Sequence, residues 1–455
     1  MSDELPTAAR VSDPGIRALY RLENRWQAWL DVEAALAKAQ AELGIIPKEA
    51  AAAIAKAAHY ELLDRARLDE GFARTGHTIV PLVWELSRVT GEQHGGWVHW
   101  GATTQNITQT GDLLVLRQAH GIFLKLIADA LDAAASLAER GADMPMAGRT
   151  HGQHALPATF GYKVAVWVDE LIRHTERFHQ AAPRLFVAML GGGAGTYASL
   201  GNAGPPVQDG IAKQLGFGSM PVPSRALGDH LAENICLLGM LAATCGKIAR
   251  EIYTLMKTEF GEVEEPVPPG TVGSSTMPQK RNPKLCQDII AAAAEVRAAV
   301  PLALEAMQTE HEADRTTSLI MDAAEARAAI GAGDMLSRLV EVLKGLRLDP
   351  ARMRANLDLG GGLIMAEAIM LELGAKIGRQ HAHDVVYDAA QAAFVEGRSF
   401  GELLAADKRV AAHLDATAIA TLLDPAAYTG LCADMARDAA ARARATAAEI
   451  RRPGG

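Results

Sequence analysis

Three short segments of this 455-residue chain concentrate groups able to move a proton beside a carboxylate. Thr103, Thr104 and Gln105 lie in "GATTQN" (101–106), and Thr150 and His151 in "GRTHGQHALPATFG" (148–161). Ser274, Ser275, Lys280 and Asn282 lie in "GSSTMPQKRNP" (273–283). Hydroxyls, an amide, an imidazole and a cation suit an anti β-elimination from a succinate-like dicarboxylate. In that reaction a base removes a proton alpha to one carboxylate, charge develops on that carboxylate, and an acid protonates the leaving group. Each group also has a structural reading. The threonines could cap the helix that follows, His151 could be a satisfied structural histidine, and Lys280 with Arg281 could form a solvated face.

The elements that must position these groups read as helices. From Leu22, the stretch "LENRWQAWLDVEAALAKAQAEL" carries an apolar stripe of Leu22, Trp29, Leu36 and Leu43, with Trp26 beside it. Gly44 and Pro47 then stop the helix. Uninterrupted helical patterns cover 112–138, 231–260 and 284–300. Runs of this length resemble the rods of a bundle, with apolar faces extensive enough to predict association with further copies. Non-helical punctuation falls at 94–106, 189–206, 263–283 and 358–365. The triple glycine at 191–193 makes no GxGxxG fingerprint.

Composition narrows the class. The chain is 49% hydrophobic but only 5% aromatic, because alanine dominates, and that favours helices over sheets. A net charge of -9 argues against nucleic acid as a partner. Cys236, Cys245, Cys286 and Cys432 show no CxxC spacing and read as reduced thiols. No apolar run approaches the ~20 residues of a membrane span, and the start carries no apolar signal core. A cytoplasmic location is expected.

The three polar segments, in this order, resemble the fumarase/aspartase superfamily of lyases. Gly273, Ser274, Ser275, Met277, Pro278, Lys280 and Asn282 match the fixed positions of its GSSxMPxKxN signature. "GATTQN" is similar to its T-[ST]-x-[DN] loop, and "GGLIMAEAIMLELGAKIGRQHAH" to the start of its C-terminal domain. The resemblance implies an all-α fold of three helical domains: 1–111, a central long-helix bundle over 112–364 with the signature loop at 263–283, and 365–455. It also implies a homotetramer whose active sites are each shared by three subunits. By the same resemblance Ser274 is the base and His151 the acid. Thr104, Thr150, Lys280 and Asn282 are carboxylate ligands, with Thr103, Gln105 and Ser275 beside them. No metal or organic cofactor is implied. His77 and His99 are further candidate substrate ligands, each with a structural alternative.

Within the superfamily, "RTHGQHALPATFG" looks closest to adenylosuccinate lyase. That enzyme's phosphate-binding H-E-R-D-x-x-x-S-x-x-x-R pattern, however, appears here as "HEADRTTSLIMD". Ala313 and Asp322 stand where arginines are expected, although Ser318 remains and Arg315 is nearby. A phosphate without bidentate arginines would be poorly held. "VHWGATTQN" and "LDPAAYTG" are similar to the 3-carboxy-cis,cis-muconate cycloisomerases. Bacterial members of that branch often lack the histidine, so its presence points to carbon–nitrogen cleavage. The leading expectation is a lyase that releases fumarate from a small N- or β-substituted succinate or aspartate. Alternatives are a lactonising cycloisomerase, adenylosuccinate lyase, or an epimerase working by addition and elimination. A non-catalytic protein on the same scaffold is a further alternative, opposed by the intact serine and histidine. His154, three residues after His151, is expected to share a helix turn with it.

Overall fold

The computed structural model describes residues 5–268, 274 and 276–452. Among these residues the chain forms 18 α-helices and six short strands that pair only two by two, so the fold is all-α. The chain divides into two compact units. The first comprises Met1–Leu126, His174–Gly246 and Ile289–Ser337; the second comprises Ile127–Arg173, Lys247–Asp288 and Arg338–Gly455.

In the first unit the helix Leu22–Glu42 runs as its apolar pattern predicts. Gly44, at φ +69°, ends it, and the Ile45 N–H reaches the Gln40 carbonyl at 2.9 Å. Trp26, Trp29 and Leu36 are buried in a core with Ile54, Leu68, Leu82, Ile107 and Ile211. Leu22 and Leu43, the ends of the predicted stripe, are exposed.

The helix expected from Asp112 begins eight residues earlier, at Thr104, and continues to Arg140. Gly111 lies inside it. A glycine inside a helix costs about 1 kcal/mol relative to alanine. Here it permits contact, since a Cβ at 111 would lie 2.5 Å from Cδ1 of Trp29 and 3.1 Å from the Ala28 backbone. The helix Lys284–Ala306 likewise continues past Pro301, where the sequence suggested an end.

The helix Asp229–Leu255 is, against expectation, long and apolar enough to cross a membrane, yet 67% of its most apolar window is buried by protein. The helix Arg315–Gly345 also contributes to both units.

In the second unit a separate core gathers Ile369, Leu373, Val385, Phe400, Leu404 and Ile419. The last helix, Cys432–Ile450, buries a face made almost wholly of alanine: Ala436, Ala439, Ala440, Ala443 and Ala447. Alanine contributes little apolar area, and charge supplements it. Arg437, Arg444 and Arg451 recur every seven residues and so share one stripe. They pair in turn with Asp143, with Glu139, and with Asp132 and Asp129, which descend along the opposite chain direction. Exposed pairs of this kind contribute roughly 0.2–1 kcal/mol each and are screened by salt. Arg444→Ala is therefore expected to lower the melting temperature by roughly 1–3 °C at low salt. The deficit should shrink in 1 M NaCl; an undiminished deficit there would mean that packing, not charge, holds this helix.

Candidate active site

The predicted site residues divide between the two units. Thr150, His151, Ser274, Lys280 and Asn282 belong to the second; His77, His99, Thr103, Thr104 and Gln105 belong to the first. Gly273 and Ser275 lie outside the described residues.

In the second unit the "GRTHGQHALPATF" segment is a β-hairpin, which the sequence reading did not anticipate. Pro145–Thr150 pairs antiparallel with Gln153–Thr159, and Thr150 faces Gln153. His151 (φ +52°) and Gly152 (φ +78°) form the turn. Both central residues of a two-residue type I′ turn need positive φ, a position usually given to Asn, Asp or Gly. A histidine there forgoes turn stability and is held out at the tip, exposed beside exposed Thr150. His154 lies on the second strand, not on a helix turn with His151 as expected.

The hairpin is anchored from below. Arg149, just before Thr150, donates to both oxygens of fully buried Glu262, at 2.6 and 3.1 Å. Its guanidinium also lies 4.9 Å from the Phe260 ring centroid. Asn356 donates to the same carboxylate at 2.7 Å. Glu262 opens the run "EVEE", and each acid in it has its own task. Glu264 forms ion pairs with Arg281 at 3.0 Å and Arg347 at 2.9 Å. Glu265, buried, accepts the backbone N–H groups of Leu285 and Cys286, each at 3.0 Å. These are orphan donors at the start of the helix Lys284–Ala306, where negative charge is favoured. The two ends of the signature segment are thus held together. Arg281, read as a possible solvated cation, is one of these ties. Ser274 Oγ accepts from the N–H groups of Met277 at 3.2 Å and Thr276 at 3.4 Å. Donors to an oxygen favour its anionic form. Lys280 follows in an exposed turn, closed by its own N–H to the Met277 carbonyl at 3.0 Å.

In the first unit His77, Thr104 and Gln105 meet at a cavity of about 270 Å³. The helix from Thr104 presents Gln105, Gln109 and Asp112 to it, one turn apart; the helix from Arg315 presents Ser318, Asp322 and Glu325. Thr103 stands just before the helix, and its N–H is taken by Asn106 Oδ1 at 3.0 Å, one arm of a capping box. Asn106 Oδ1 also accepts the Gly192 N–H at 3.2 Å, which ties this turn to the glycine-rich loop. His77 Nδ1 faces the N–H groups of Ile79 and Val80 at 3.4 Å, so the imidazole proton belongs on Nε2 as a donor. His99 does not line the cavity. Its Nδ1 pairs with buried Glu33 at 2.5 Å.

Beyond Asp322 and Arg315, which the phosphate-pattern comparison singled out, sequence reasoning missed the charged groups that give this cavity its character. Arg25 is bidentate to Asp112 at 2.9 and 2.7 Å, and Trp29 Nε1 adds a third bond to that carboxylate at 3.0 Å. Arg25 also reaches Asp322 at 3.4 Å. Tyr20 donates to Glu325 at 3.1 Å. The one signal was a cation and an acid on otherwise apolar faces, Arg25 within "ENRWQAW" and Asp112 before "LLVL".

Around Arg25 three carboxylates face one guanidinium, so negative charge is in excess there; Asp314, Arg225 and Arg315 complete the charged lining of the cavity. Burial, then the charges of Asp112 and Asp322, push the Glu325 carboxyl up to about 8. Burial and Asp112 also push Asp322 upward. Asp322 keeps half its side-chain surface accessible because it faces the cavity, so solvent moderates its shift. A carboxyl that binds its proton more tightly folded than unfolded stabilises the fold fully below its unfolded pKa. That contribution fades as pH rises through the folded value. Melting curves between pH 5 and 9 should therefore show the wild type losing stability relative to Glu325→Gln, with the gap levelling off above about pH 8. Parallel curves would mean that Glu325 ionises without penalty.

With this geometry in place, comparison with known proteins is specific. Residues 9–298 match the family described as Lyase, and residues 362–439 the Adenylosuccinate lyase C-terminus family. N-acetyl-S-(2-succino)cysteine lyase of Enterococcus italicus is 40% identical over 421 residues, 92% of each chain. 3-Carboxy-cis,cis-muconate cycloisomerase of Pseudomonas aeruginosa is 39% identical over 421 residues, 91% of each. The crystal structure of fumarate lyase from Mesorhizobium sp. BNC1 superposes with a TM-score of 0.88 at 37% identity, covering 94% of this chain and 98% of that one. The chain belongs to the fumarase/aspartase superfamily of lyases.

Proposed function

We propose that this protein releases fumarate from a small, non-nucleotide 2-substituted succinate by breaking the bond from carbon to a nitrogen or sulfur substituent. Ser274 is the base and His151 the acid. The observation that carries the substrate half is the acidic stretch of cavity wall around Arg25. Asp322 occupies a position where the phosphate-binding pattern calls for arginine, and it lines the cavity with Asp112 and Glu325. A phosphate dianion beside Asp322 would meet like charge, and the arginine that faces Asp322, Arg25, is already committed to Asp112. The sulfur alternative rests on relatives named for a succinylated cysteine.

In this reading Ser274 Oγ, supported by the Thr276 and Met277 N–H groups, takes the proton alpha to one carboxylate. Thr104, Thr150, Lys280 and Asn282 receive the charge that spreads onto that carboxylate. The substituent then departs on the opposite face, with its proton supplied by His151 at the hairpin tip. Completion of the site by further copies in a tetramer is part of the proposal. Support comes from the apolar groups left exposed on the long helices, among them Tyr162, Val166, Met240, Leu302 and Leu304.

A second reading, lactone formation from a carboxymuconate, draws on the cycloisomerase relative. A screen of fumarate absorbance would separate the two. N-acetyl-S-(2-succino)cysteine, N-substituted aspartates and adenylosuccinate would be offered, with carboxymuconate loss followed in parallel. The expected result is fumarate from a small substrate, none from adenylosuccinate, and at least a 1,000-fold loss in Ser274→Ala. Near-normal turnover in that variant would remove Ser274 from the role of base.

His151→Asn tests the acid separately. Asparagine suits a positive-φ turn position, so the variant should fold at least as well as the wild type. It should lose roughly 100-fold on amine substrates and far less on thiols, which depart as anions without a proton. Equal losses on both would refute the assignment.

A further inference from the structure

We propose that Arg225 is a substrate-binding cation, holding one carboxylate of the dicarboxylate in the cavity of the first unit. The inference rests on the lyase reading above and adds a residue to it. Arg225 lies in the Pro-framed loop "PVPSRALGD" and lines the same cavity as Thr104 and Gln105. It is held there by neutral acceptors only. Its Nε donates to Gln105 Oε1 at 3.1 Å and its Nη1 to the Gly193 carbonyl at 2.8 Å. Gln105 returns the contact, donating from Nε2 to the Arg225 carbonyl at 3.0 Å. Among the described residues no carboxylate forms an ion pair with Arg225, and its Nη2 makes no hydrogen bond.

The contrast with Arg25 in the same cavity is chemical. Arg25 has its charge met by Asp112 and Asp322. Arg225 is aimed by two bonds, partly desolvated, and left with its charge unmet, the state in which a planar guanidinium gains most from a carboxylate. Burial alone holds its pKa below the usual value, and a bound anion would reverse that shift. Position supports the same role. Arg225 is clamped to the residue that follows Thr104, the hydroxyl that family resemblance gives to a carboxylate. Asp112 lies seven residues further along the same helix, about 10 Å at 1.5 Å per residue. Arg225 thus stands beside Thr104 and Gln105, about two helical turns from the group in which Asp112, Asp322 and Glu325 surround Arg25; Asp314 and Arg315 also line the cavity. A succinyl group held by Arg225 would direct its substituent along the cavity toward Arg25 and its carboxylates.

The test is titration calorimetry of fumarate and of its monomethyl ester with wild type, Arg225→Gln and Arg225→Lys, alongside melting curves. The expected result is a 10- to 100-fold weaker fumarate affinity in Arg225→Gln, a much smaller preference for fumarate over the ester, and partial recovery in Arg225→Lys. An unchanged preference in Arg225→Gln overturns the proposal. So does an equal loss for both ligands, which would mark Arg225 as a brace for Gln105. A wild type that neither binds nor releases fumarate would sink the lyase reading itself, a result recognisable without any variant.

Discussion

The buried carboxylate of Glu262, forked onto Arg149, is the contact on which the second unit's chemistry depends. A charge with no exposed surface is stable only when paired and hydrogen-bonded, and here the guanidinium, Asn356 and the Phe260 ring supply that environment. Removing one partner of such a pair typically costs 3–5 kcal/mol, because the other charge is left stranded. The constraint runs along the backbone in both directions. On one side it fixes the strand that ends in Thr150 and turns through His151. On the other it fixes the start of the acidic run whose last member, Glu265, caps the helix after the signature segment. Two segments more than a hundred residues apart are thereby held in relation to one carboxylate.

Electrostatics in the first unit follow the opposite logic. Charge there is locally unbalanced, with three acids around the committed Arg25 and, in the same cavity, Arg225 held by neutral acceptors. Burial of Glu325 beside two other acids makes its ionisation costly, as its elevated carboxyl indicates. A cavity of this kind distinguishes ligands by the sign and placement of their charges more than by shape. The close approach that builds the group around Arg25 depends on Gly111, since a side chain there would displace Trp29 and with it the hydrogen bond to Asp112.

Two features look like poor local choices and make sense only at the next level. His151 occupies a turn position better suited to Asn or Gly, and Gly111 sits inside a helix that alanine would favour. Each sacrifices local propensity for placement: an imidazole at a hairpin tip, and two helices in contact beside a charged cavity.

Sequence by itself determined the all-α class, the long helices, the glycine stop at residue 44 and the superfamily, because these depend on local propensity, periodicity and the spacing of a ten-residue motif. It also identified Thr104, Gln105 and His77, which the fold brings to one cavity. Tertiary structure alone decided the rest. The hairpin under His151 is a pairing between strands whose hydrophobic alternation is too short to stand out. The separation of His99 from the cavity turns on Glu33, 66 positions earlier. Arg25, Asp112, Arg225 and Glu325 acquire their characters from hydrogen-bond and ion-pair partners between 32 and 305 residues distant. Charge pairing acts through space and leaves no period along the chain, so no inspection of spacing could have recovered it.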